Sequence, residues 1–149
     1  MISIRPARPG DAEVWSRLRH DLWPEGPLAE HRQEIEDFFA GRAAEPLAVL
    51  MAEGGHHEIL GFAELSIRPS AEGCTTDRIA YLEGWYVAPE ARGRGVGRAL
   101  VESAQDWARQ EGCAEFASDT EAGNEISTAA HHAVGFEEVG MIRCFRKTL

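Results

Sequence analysis

The apolar residues of this chain recur with two different spacings, and the two spacings alternate along the sequence. Short runs rich in β-branched and aromatic residues predict strands, whereas an apolar residue every three or four positions predicts a helix. The predicted strands are Met1–Arg5, Pro46–Glu53, Ile59–Arg68, Arg78–Val87, Glu115–Ser118, Phe136–Val139 and Ile142–Phe145. The predicted helices are a first one capped by Asp11 that carries Val14, Trp15, Leu18 and Leu22, followed by Leu28–Gly41, Val96–Gln110 and Asn124–Val134.

This order of elements defines a fold class. The turn at 54–57 joins two strands into an antiparallel hairpin. The later strands are separated by helices, and a strand–helix–strand connection places its two strands parallel. The prediction is a mixed α/β fold: one central sheet with parallel strands in its second half, flanked by helices, in a single domain spanning 1–149.

Length, composition and charge narrow the class of protein. The 149 residues suit one domain, and 44% hydrophobic with 27% charged residues is the profile of a packed globule rather than a disordered chain. The net charge of −10 argues against nucleic acid as a partner, because phosphate binding needs basic surface. The charge favours a cationic partner or serves solubility alone.

Cysteine usage and hydropathy indicate the compartment. The three cysteines, Cys74, Cys113 and Cys144, are odd in number and lack Cys-x-x-Cys spacing, which argues against a disulfide framework or a zinc site. Charged residues and prolines interrupt the first residues, so no secretory signal is expected, and no apolar run approaches the roughly 20 residues of a membrane span. We therefore expect a cytoplasmic protein with no membrane partner and no metal.

The segment between the fourth predicted strand and the third predicted helix is rich in glycine and arginine. Glycines let the backbone turn tightly, and the exposed amides of a first helical turn make an anion site together with the helix dipole. We interpret the loop as a diphosphate site, with a simple strand-to-helix connection as the alternative. It lacks the Gly-Lys-Ser/Thr of a P-loop and the spacing of a dinucleotide fingerprint. The loop residues in question are Arg92, Gly93, Arg94, Gly95, Val96, Gly97 and Arg98.

Arg92-x-x-Gly95-x-Gly97, following a strand that ends Tyr86-Val87, resembles the acetyl-coenzyme A signature of the GNAT N-acetyltransferases. The element order is similar to that fold over the whole chain. The resemblance implies acetyl-CoA as co-substrate, its diphosphate held by the amides of the loop. It also implies that the pantetheine arm pairs with the backbone of Trp85, Tyr86 and Val87, where two parallel strands splay apart.

A narrower resemblance covers nearly the whole chain, because a series of short motifs recurs in the same order in the aminoglycoside 6'-N-acetyltransferases. These motifs are Leu18-Arg19, Leu22-Trp23-Pro24, Ala63-x-x-Ser66-Ile67-Arg68, Leu82-Glu83-Gly84, Ala117-Ser118-Asp119-Thr120, Asn124-x-Ile126-Ser127, His131 and Gly135-Phe136-Glu137-Glu138. The resemblance implies transfer of acetyl to the 6'-amine of these polycationic drugs by direct attack in a ternary complex. It further implies a homodimer whose C-terminal strands meet.

An amine must be neutral to attack a thioester, so such a site needs carboxylates that attract the ammonium group and help its proton leave. Glu83 lies in the strand beside the pantetheine path and Asp119 follows the next strand, so both should open onto one cleft. By resemblance both contact the substrate amines, and either can be the base. The alternatives are that Asp119 caps a helix and that Glu83 is a solvated strand residue.

Three further residues have a functional and a structural interpretation. Trp23, in a loop bounded by prolines, suits a cation–π wall of the substrate cleft rather than the core. Asn124 resembles the family residue that binds pantetheine, and it can also cap a helix. His131 can protonate the departing thiolate, hydrogen-bond the coenzyme, or serve structure alone.

The chain departs from this family between Arg68 and Asp77. Relatives carry a Tyr and an acidic residue there that line the drug pocket, but the Tyr is absent here and the loop is shorter. Glu72 and Asp77 are the candidates for the acidic substrate-binding residue. Other acceptors therefore remain open: a polyamine, an amino acid or protein lysines. A non-catalytic coenzyme sensor is a further alternative that Glu83 and Asp119 disfavour.

Overall fold

The computed structural model describes the whole chain, residues 1–149, as helices packed on a single sheet. Its strands are β1 (Ser3–Pro6), β2 (Ala48–Glu53), β3 (Ile59–Arg68), β4 (Ile79–Val87) and β5 (Glu115–Ser118). Its helices are α1 (Ala12–Leu22), α2 (Leu28–Phe39), α3 (Val96–Gln110) and α4 (Glu125–Ala133). These elements confirm the predicted ones from the first strand to α4, with boundaries that differ by a few residues.

The sheet order is β1-β2-β3-β4-β5. The first three pairings are antiparallel, and β4 pairs with β5 in parallel through α3. A mixed sheet flanked by helices is thus confirmed. No helix combines the length and the apolar character that crossing a bilayer requires.

The predicted strand pair at Phe136–Val139 and Ile142–Phe145 is wrong. After α4 the chain contains no strand. A strand requires a neighbouring strand for its N–H and C=O groups, and this segment has none within the chain. Its large apolar side chains are exposed, namely Val139, Met141, Ile142, Phe145 and Leu149.

The core joins the sheet to α1, α2 and α3. Trp15 of α1 and Ile35 of α2 are each 1% exposed, and Leu100 of α3 is fully buried among residues of β2, β3 and β4. Trp15 makes edge-on contacts with Phe38 and Phe39, which anchors α1 to α2. The rigid sheet beneath these helices positions the polar residues described next.

Asp11 stands at the N-cap of α1, as predicted, but its carboxylate does not cap the helix. It accepts hydrogen bonds from the Arg5 guanidinium at 2.8 and 2.9 Å and from the Arg8 amide at 2.7 Å. The bond from Arg5 is the main reason that the pKa of Asp11 lies below its usual range. The residue ties β1 to the start of α1.

Candidate active site

A gap opens in the sheet where β4 outruns β5. Their parallel register ends at the pair Leu82 and Ser118, while β4 continues to Val87 beside β3 alone. One side of β4 at 83–87 therefore has no strand partner. An extended ligand can pair with that edge as an added strand does.

A β-bulge lies at the inner end of this gap. Glu64 of β3 pairs with Gly84 and Leu65 pairs with Leu82, so Glu83 is an extra residue without a partner. A bulge re-aims its side chains and increases the local twist, and bulges are common beside active sites. Here it turns the Glu83 carboxylate toward the polar residues of β3.

The Glu83 carboxylate is held by two donors from β3. Arg68 donates from Nε to Oε2 at 2.9 Å and from Nη2 to Oε1 at 2.5 Å, and the Ser66 hydroxyl donates to Oε2. The fork-shaped pairing raises the pKa of Arg68. The charge of Glu83 is therefore balanced by Arg68, whereas the sequence suggested a carboxylate with no partner inside the protein.

Asp119 joins the same cluster through Tyr81. The Tyr81 hydroxyl donates to Oδ2 of Asp119, and the Arg68 guanidinium lies 3.5 Å from the centre of the Tyr81 ring. Burial, and next the bond to Asp119, raise the pKa of Tyr81, so its hydroxyl stays protonated. The two predicted carboxylates are thus connected through Arg68 and Tyr81.

Ser66, Arg68 and Tyr81 were missed as site residues in the sequence. A signal was present, because Glu64, Ser66 and Arg68 put polar groups at every second position of an otherwise apolar strand. Alternate residues of a strand share a face. That face of the sheet carries the site.

Trp23 ends α1 and packs on Gly84, next to Glu83. A Cβ on Gly84 would come within 2.7 Å of Cη2 of the indole, so only glycine allows this approach. The Arg19 guanidinium lies 5.2 Å from the centre of the Trp23 ring, a cation–π distance. Trp23 therefore lies beside the cluster, with an internal cation already on its ring.

Arg19 is itself fixed by two carboxylates. It pairs with Glu34 at 2.7 Å and with Glu64 at 3.1 Å, and Glu64 also accepts the indole N–H of Trp15 at 3.1 Å. Glu64 is only 3% exposed, and burial raises its pKa to about 7 despite the opposing charge of Arg19. This buried network ties α1 and α2 to β3 behind Trp23.

The glycine- and arginine-rich loop leads into α3 as predicted. Gly95 is the N-cap with φ of 82°, a left-handed conformation that favours glycine, and the first-turn amides after it have no helical acceptor. Two of its exposed arginines donate to main-chain oxygens: Arg92 bonds Val87 at 2.9 Å and Arg98 bonds Ala133 at 2.6 Å. Arg94, exposed like them, makes no such bond.

Within this loop, the side chain of Val96 is 1% exposed, so Val96 can offer a ligand only its backbone. The indole N–H of Trp85 donates to the Gly97 oxygen at 3.2 Å. That bond fastens the start of α3 to β4. The amides of the loop and the open edge of β4 therefore keep a fixed relation to each other.

Asn124 and His131 lie at the two ends of α4. Asn124 is the N-cap, and its side chain accepts the Ser127 amide at 3.0 Å, which confirms the structural interpretation of this residue. His131 contacts the edge of the Trp85 ring at a centroid distance of 5.2 Å, and its Nε2 is 2.8 Å from the Ser118 hydroxyl. His131 thus lies at the inner end of the gap.

Glu72 and Asp77 lie on the exposed loop between β3 and β4, and neither makes a hydrogen bond or ion pair with the cluster. The loop is fastened by Glu115, which accepts the amides of Thr75 at 3.0 Å and Thr76 at 2.8 Å. These bonds, above all those from Thr76, lower the pKa of Glu115. No group of three or more His, Cys, Asp or Glu side chains is arranged to hold a metal ion.

An open strand edge beside a helix N-terminus can hold an extended ligand with an anionic end, and carboxylates at the inner end of the edge can act on a proton there. Residues 15–136 match the family model described as Acetyltransferase (GNAT) family, and the chain belongs to this family. It is an acetyl-CoA-dependent N-acetyltransferase with acetyl-CoA as its co-substrate.

Two relatives match this chain over nearly its full length. The chain is 54% identical over 146 residues to an aminoglycoside N(6')-acetyltransferase type 1 of Klebsiella aerogenes, covering 98% of this chain and 96% of the relative. A protein of the same name from Stenotrophomonas maltophilia is 42% identical, covering 99% and 94%.

Two solved structures also match the chain over its full length. AAC(6')-Iy in complex with the bisubstrate analog CoA-S-monomethyl-acetylneamine superposes with a TM-score of 0.88 at 36% identity, covering 100% of this chain and 99% of that one. AAC(6')-Ih from Acinetobacter baumannii gives 0.89 at 33% identity, covering 100% and 99%.

Proposed function

We propose that this enzyme transfers acetyl from acetyl-CoA to the 6'-amine of aminoglycosides by direct attack in a ternary complex. The observation that carries the proposal is the 54% identity, over 98% of the chain, to a relative of that name. The acidic cluster beside the open edge of β4 supports it, because a polycation gains from carboxylates near the reacting amine. The net charge of −10 also attracts a polycationic substrate.

For the co-substrate, the proposal uses the loop amides of 92–98 for the diphosphate and the backbone of 85–87 for the pantetheine arm. The left-handed Gly95 and the unpaired first turn of α3 fit an anion. Since Arg92 and Arg98 bind main-chain oxygens, Arg94 is the arginine whose charge we assign to the phosphates. Asn124 and His131 line the opposite wall of the gap in this proposal.

For the acceptor, we assign the base to Asp119 rather than Glu83. Donors from Arg68 and Ser66 already occupy both oxygens of Glu83, which suits it to attract an ammonium group but not to take a proton. Asp119 accepts only the Tyr81 hydroxyl, on one oxygen. In this assignment Asp119 takes the proton of the amine, directly or through water, as the nitrogen attacks the acetyl carbon.

Trp23 forms the wall of the pocket against the cationic sugar. Glu72 and Asp77 stay candidates for a further contact, because their exposed loop can approach a long substrate. The Tyr missing from this loop removes an aromatic surface that relatives of this family offer. We therefore expect the drug spectrum of this enzyme to differ from theirs.

One panel tests the substrate. The purified enzyme is given acetyl-CoA, and thiol release is measured with kanamycin-type drugs, spermidine, free amino acids and a lysine-rich peptide. We expect turnover with the drugs, and mass spectrometry with fragmentation should place the acetyl group on the 6'-nitrogen. Turnover confined to another amine would overturn the proposal, and tight coenzyme binding with no turnover would identify a sensor.

We also propose that the enzyme is a homodimer joined through its C-terminal segment, residues 136–149. Phe145 is 92% exposed and Met141 76%, and the outer edge of β5 has no strand partner. A second copy that covers this segment would bury the apolar side chains and supply the missing strand partner. Sedimentation should give twice the monomer mass, and Phe145→Asp should give the monomer; a monomeric parent enzyme would refute the idea.

A cytoplasmic location completes the proposal. All three cysteines are free, which suits a reducing compartment. Cell fractionation of the native host should recover the enzyme with the cytoplasmic markers.

A further inference from the structure

Both ring nitrogens of His131 are already engaged inside the protein. Nδ1 lies 2.7 Å from the main-chain oxygen of Ser127, and Nε2 lies 2.8 Å from the hydroxyl of Ser118. A direct contact between His131 and the coenzyme sulfur would require one of these bonds to break. The group that can face the gap is therefore the hydroxyl that His131 holds.

The partners of His131 determine its tautomer. A carbonyl oxygen only accepts, so Nδ1 carries a hydrogen, and Nε2 of the neutral ring accepts from the Ser118 hydroxyl. When Nε2 gains a proton it becomes the donor to Ser118 Oγ. The hydroxyl hydrogen can then turn to the Leu82 oxygen at 3.3 Å. Both charge states of the ring are satisfied after the rotation of one hydroxyl.

The pair also stands at the inner end of the gap. Ser118 is the last residue of β5 and pairs with Leu82, beyond which β4 runs on without β5. At about 3.3 Å per residue, the five steps from Leu82 to Val87 span about 17 Å of open edge. An arm that starts at the phosphate loop beyond Val87 and runs along β4 therefore points toward Ser118.

We propose that Ser118 donates the proton that the departing coenzyme thiolate requires, and that His131 resupplies it. This assignment rests on the proposed direct transfer. The bond from the amine nitrogen to the acetyl carbon forms, the bond from that carbon to sulfur breaks, and its electron pair stays on sulfur. The Ser118 proton passes to sulfur while the Nε2 proton of His131 passes to Ser118 Oγ. The amine proton passes to Asp119, so the products are the amide, the free thiol, a protonated Asp119 and a neutral imidazole. Solvent then carries a proton away from Asp119 and returns one to His131.

The surroundings of the ring are mainly apolar, so a proton exchange at His131 is not masked by a close ion pair. The Trp85 and Phe136 rings contact it at centroid distances of 5.2 and 5.3 Å. None of the charged or titratable groups on the adjoining elements makes a hydrogen bond or ion pair with the ring, whose polar partners are Ser118 and Ser127 alone. These groups are Glu125 and His132 on α4, Glu137 and Glu138 after it, Glu115 on β5 and Asp119 after it, Arg98, Glu102, Asp106 and Arg109 on α3, and Tyr81, Glu83 and Tyr86 on β4.

Two variants test the relay: Ser118→Ala removes the donor, and His131→Gln removes the resupply. At saturating acetyl-CoA and amine we expect each to lower kcat at least tenfold with coenzyme affinity within twofold of the parent enzyme. The double variant should be no worse than either single one, because the residues act as a unit. Ser118→Thr keeps the hydroxyl and should recover most of the rate.

Thr128→Ala is the matched control. It removes a hydroxyl on α4 that bonds only the main-chain oxygen of Asn124 and does not contact His131. It should leave kcat within twofold. Besides the rescue by Ser118→Thr, a second readout distinguishes the relay from packing. Nitrogen NMR of the free enzyme should show the Nδ1–H tautomer.

Several results would overturn the relay: an unchanged kcat in Ser118→Ala, a loss that Ser118→Thr does not restore, or a hydrogen on Nε2 of the neutral ring. The assay can use whichever amine gives turnover. Turnover confined to another amine would refute the proposed substrate and leave the relay open to the same measurements. No turnover with any amine would overturn both.

Discussion

The contact between Trp23 and Gly84 offers a sharp test of how the acceptor pocket is shaped. Gly84→Ala adds one methyl group at a point where Cη2 and Cζ2 of the indole would lie only 2.7 and 3.1 Å away. The backbone fixes the direction of a Cβ, so the methyl group cannot turn away from the indole. The indole must therefore move off β4, away from the Glu83 side of the site.

The expected loss follows from what the indole contributes. Extra volume in a packed position costs about 1–3 kcal/mol of stability. Displacing an aromatic wall from a cationic substrate costs about 0.5–2 kcal/mol of binding. At about 1.4 kcal/mol per tenfold change, kcat/KM for an aminoglycoside should fall roughly 2- to 30-fold. The KM for acetyl-CoA should stay unchanged, because the loop at 92–98 is not touched.

A double-mutant cycle separates displacement of Trp23 from a general loss of stability. If the methyl group acts through the indole, Gly84→Ala should cost little further kcat/KM in a Trp23→Ala background. Steady-state kinetics measures the four rates, and thermal unfolding checks that each variant is folded at the assay temperature. An unchanged kcat/KM in Gly84→Ala, or an equal loss in both backgrounds, would refute this account of the pocket.

Three further predictions address the base, the loop and the buried acid. Asp119→Ala should lower kcat by well over tenfold, and an unchanged rate would remove Asp119 from the mechanism. Gly95→Ala and Gly112→Ala replace glycines with φ of 82° and 80° in open space, so each should lose about 1–2 kcal/mol of stability, but only Gly95→Ala should raise the KM for acetyl-CoA. Glu64 is stabilised in its protonated form, so its contribution is present below pH 4.5 and lost as pH rises through about 7. Relative to Glu64→Gln, the parent enzyme should lose up to about 3 kcal/mol of unfolding free energy between pH 5 and 8, at about 1.4 kcal/mol per pH unit. Denaturation curves measure this, and an equal change in both proteins between the two pH values would contradict it.

The main limit of sequence-based inference in this protein concerned the partners of the site residues. Glu83 and Asp119 were proposed because the chain resembles a known family at these positions, and because one lies in a strand and the other directly after the next strand. Their partners Arg68 and Tyr81 lie 15 and 38 residues away, and only the register of β3, β4 and β5 brings them together. Likewise, nothing local indicates that Arg98 binds the main-chain oxygen of Ala133 at the end of α4.

The prediction of two strands in the C-terminal segment was wrong for a related reason. Its short runs carry the β-branched and aromatic residues that strands favour, and local composition is all that such a prediction uses. A strand also requires a partner edge, and that requirement is not local. The exposed Phe145 and Met141 show that the pattern was present and the partner was not.

Local sequence alone determined the order of helices and strands up to α4 and the glycine turn before α3. These features depend on spacing and backbone preference, which act over a few residues. Tertiary structure decided that Arg68 balances the charge of Glu83 and that Arg92 and Arg98 bind main-chain oxygens while Arg94 does not. It also decided that His131 binds the hydroxyl of Ser118. Each of these depends on where the fold places groups that local sequence does not bring together. The bulge sets the partners of Glu83, the position of α4 beside α3 gives Arg98 its acceptor, and the early end of β5 places Ser118 at the gap.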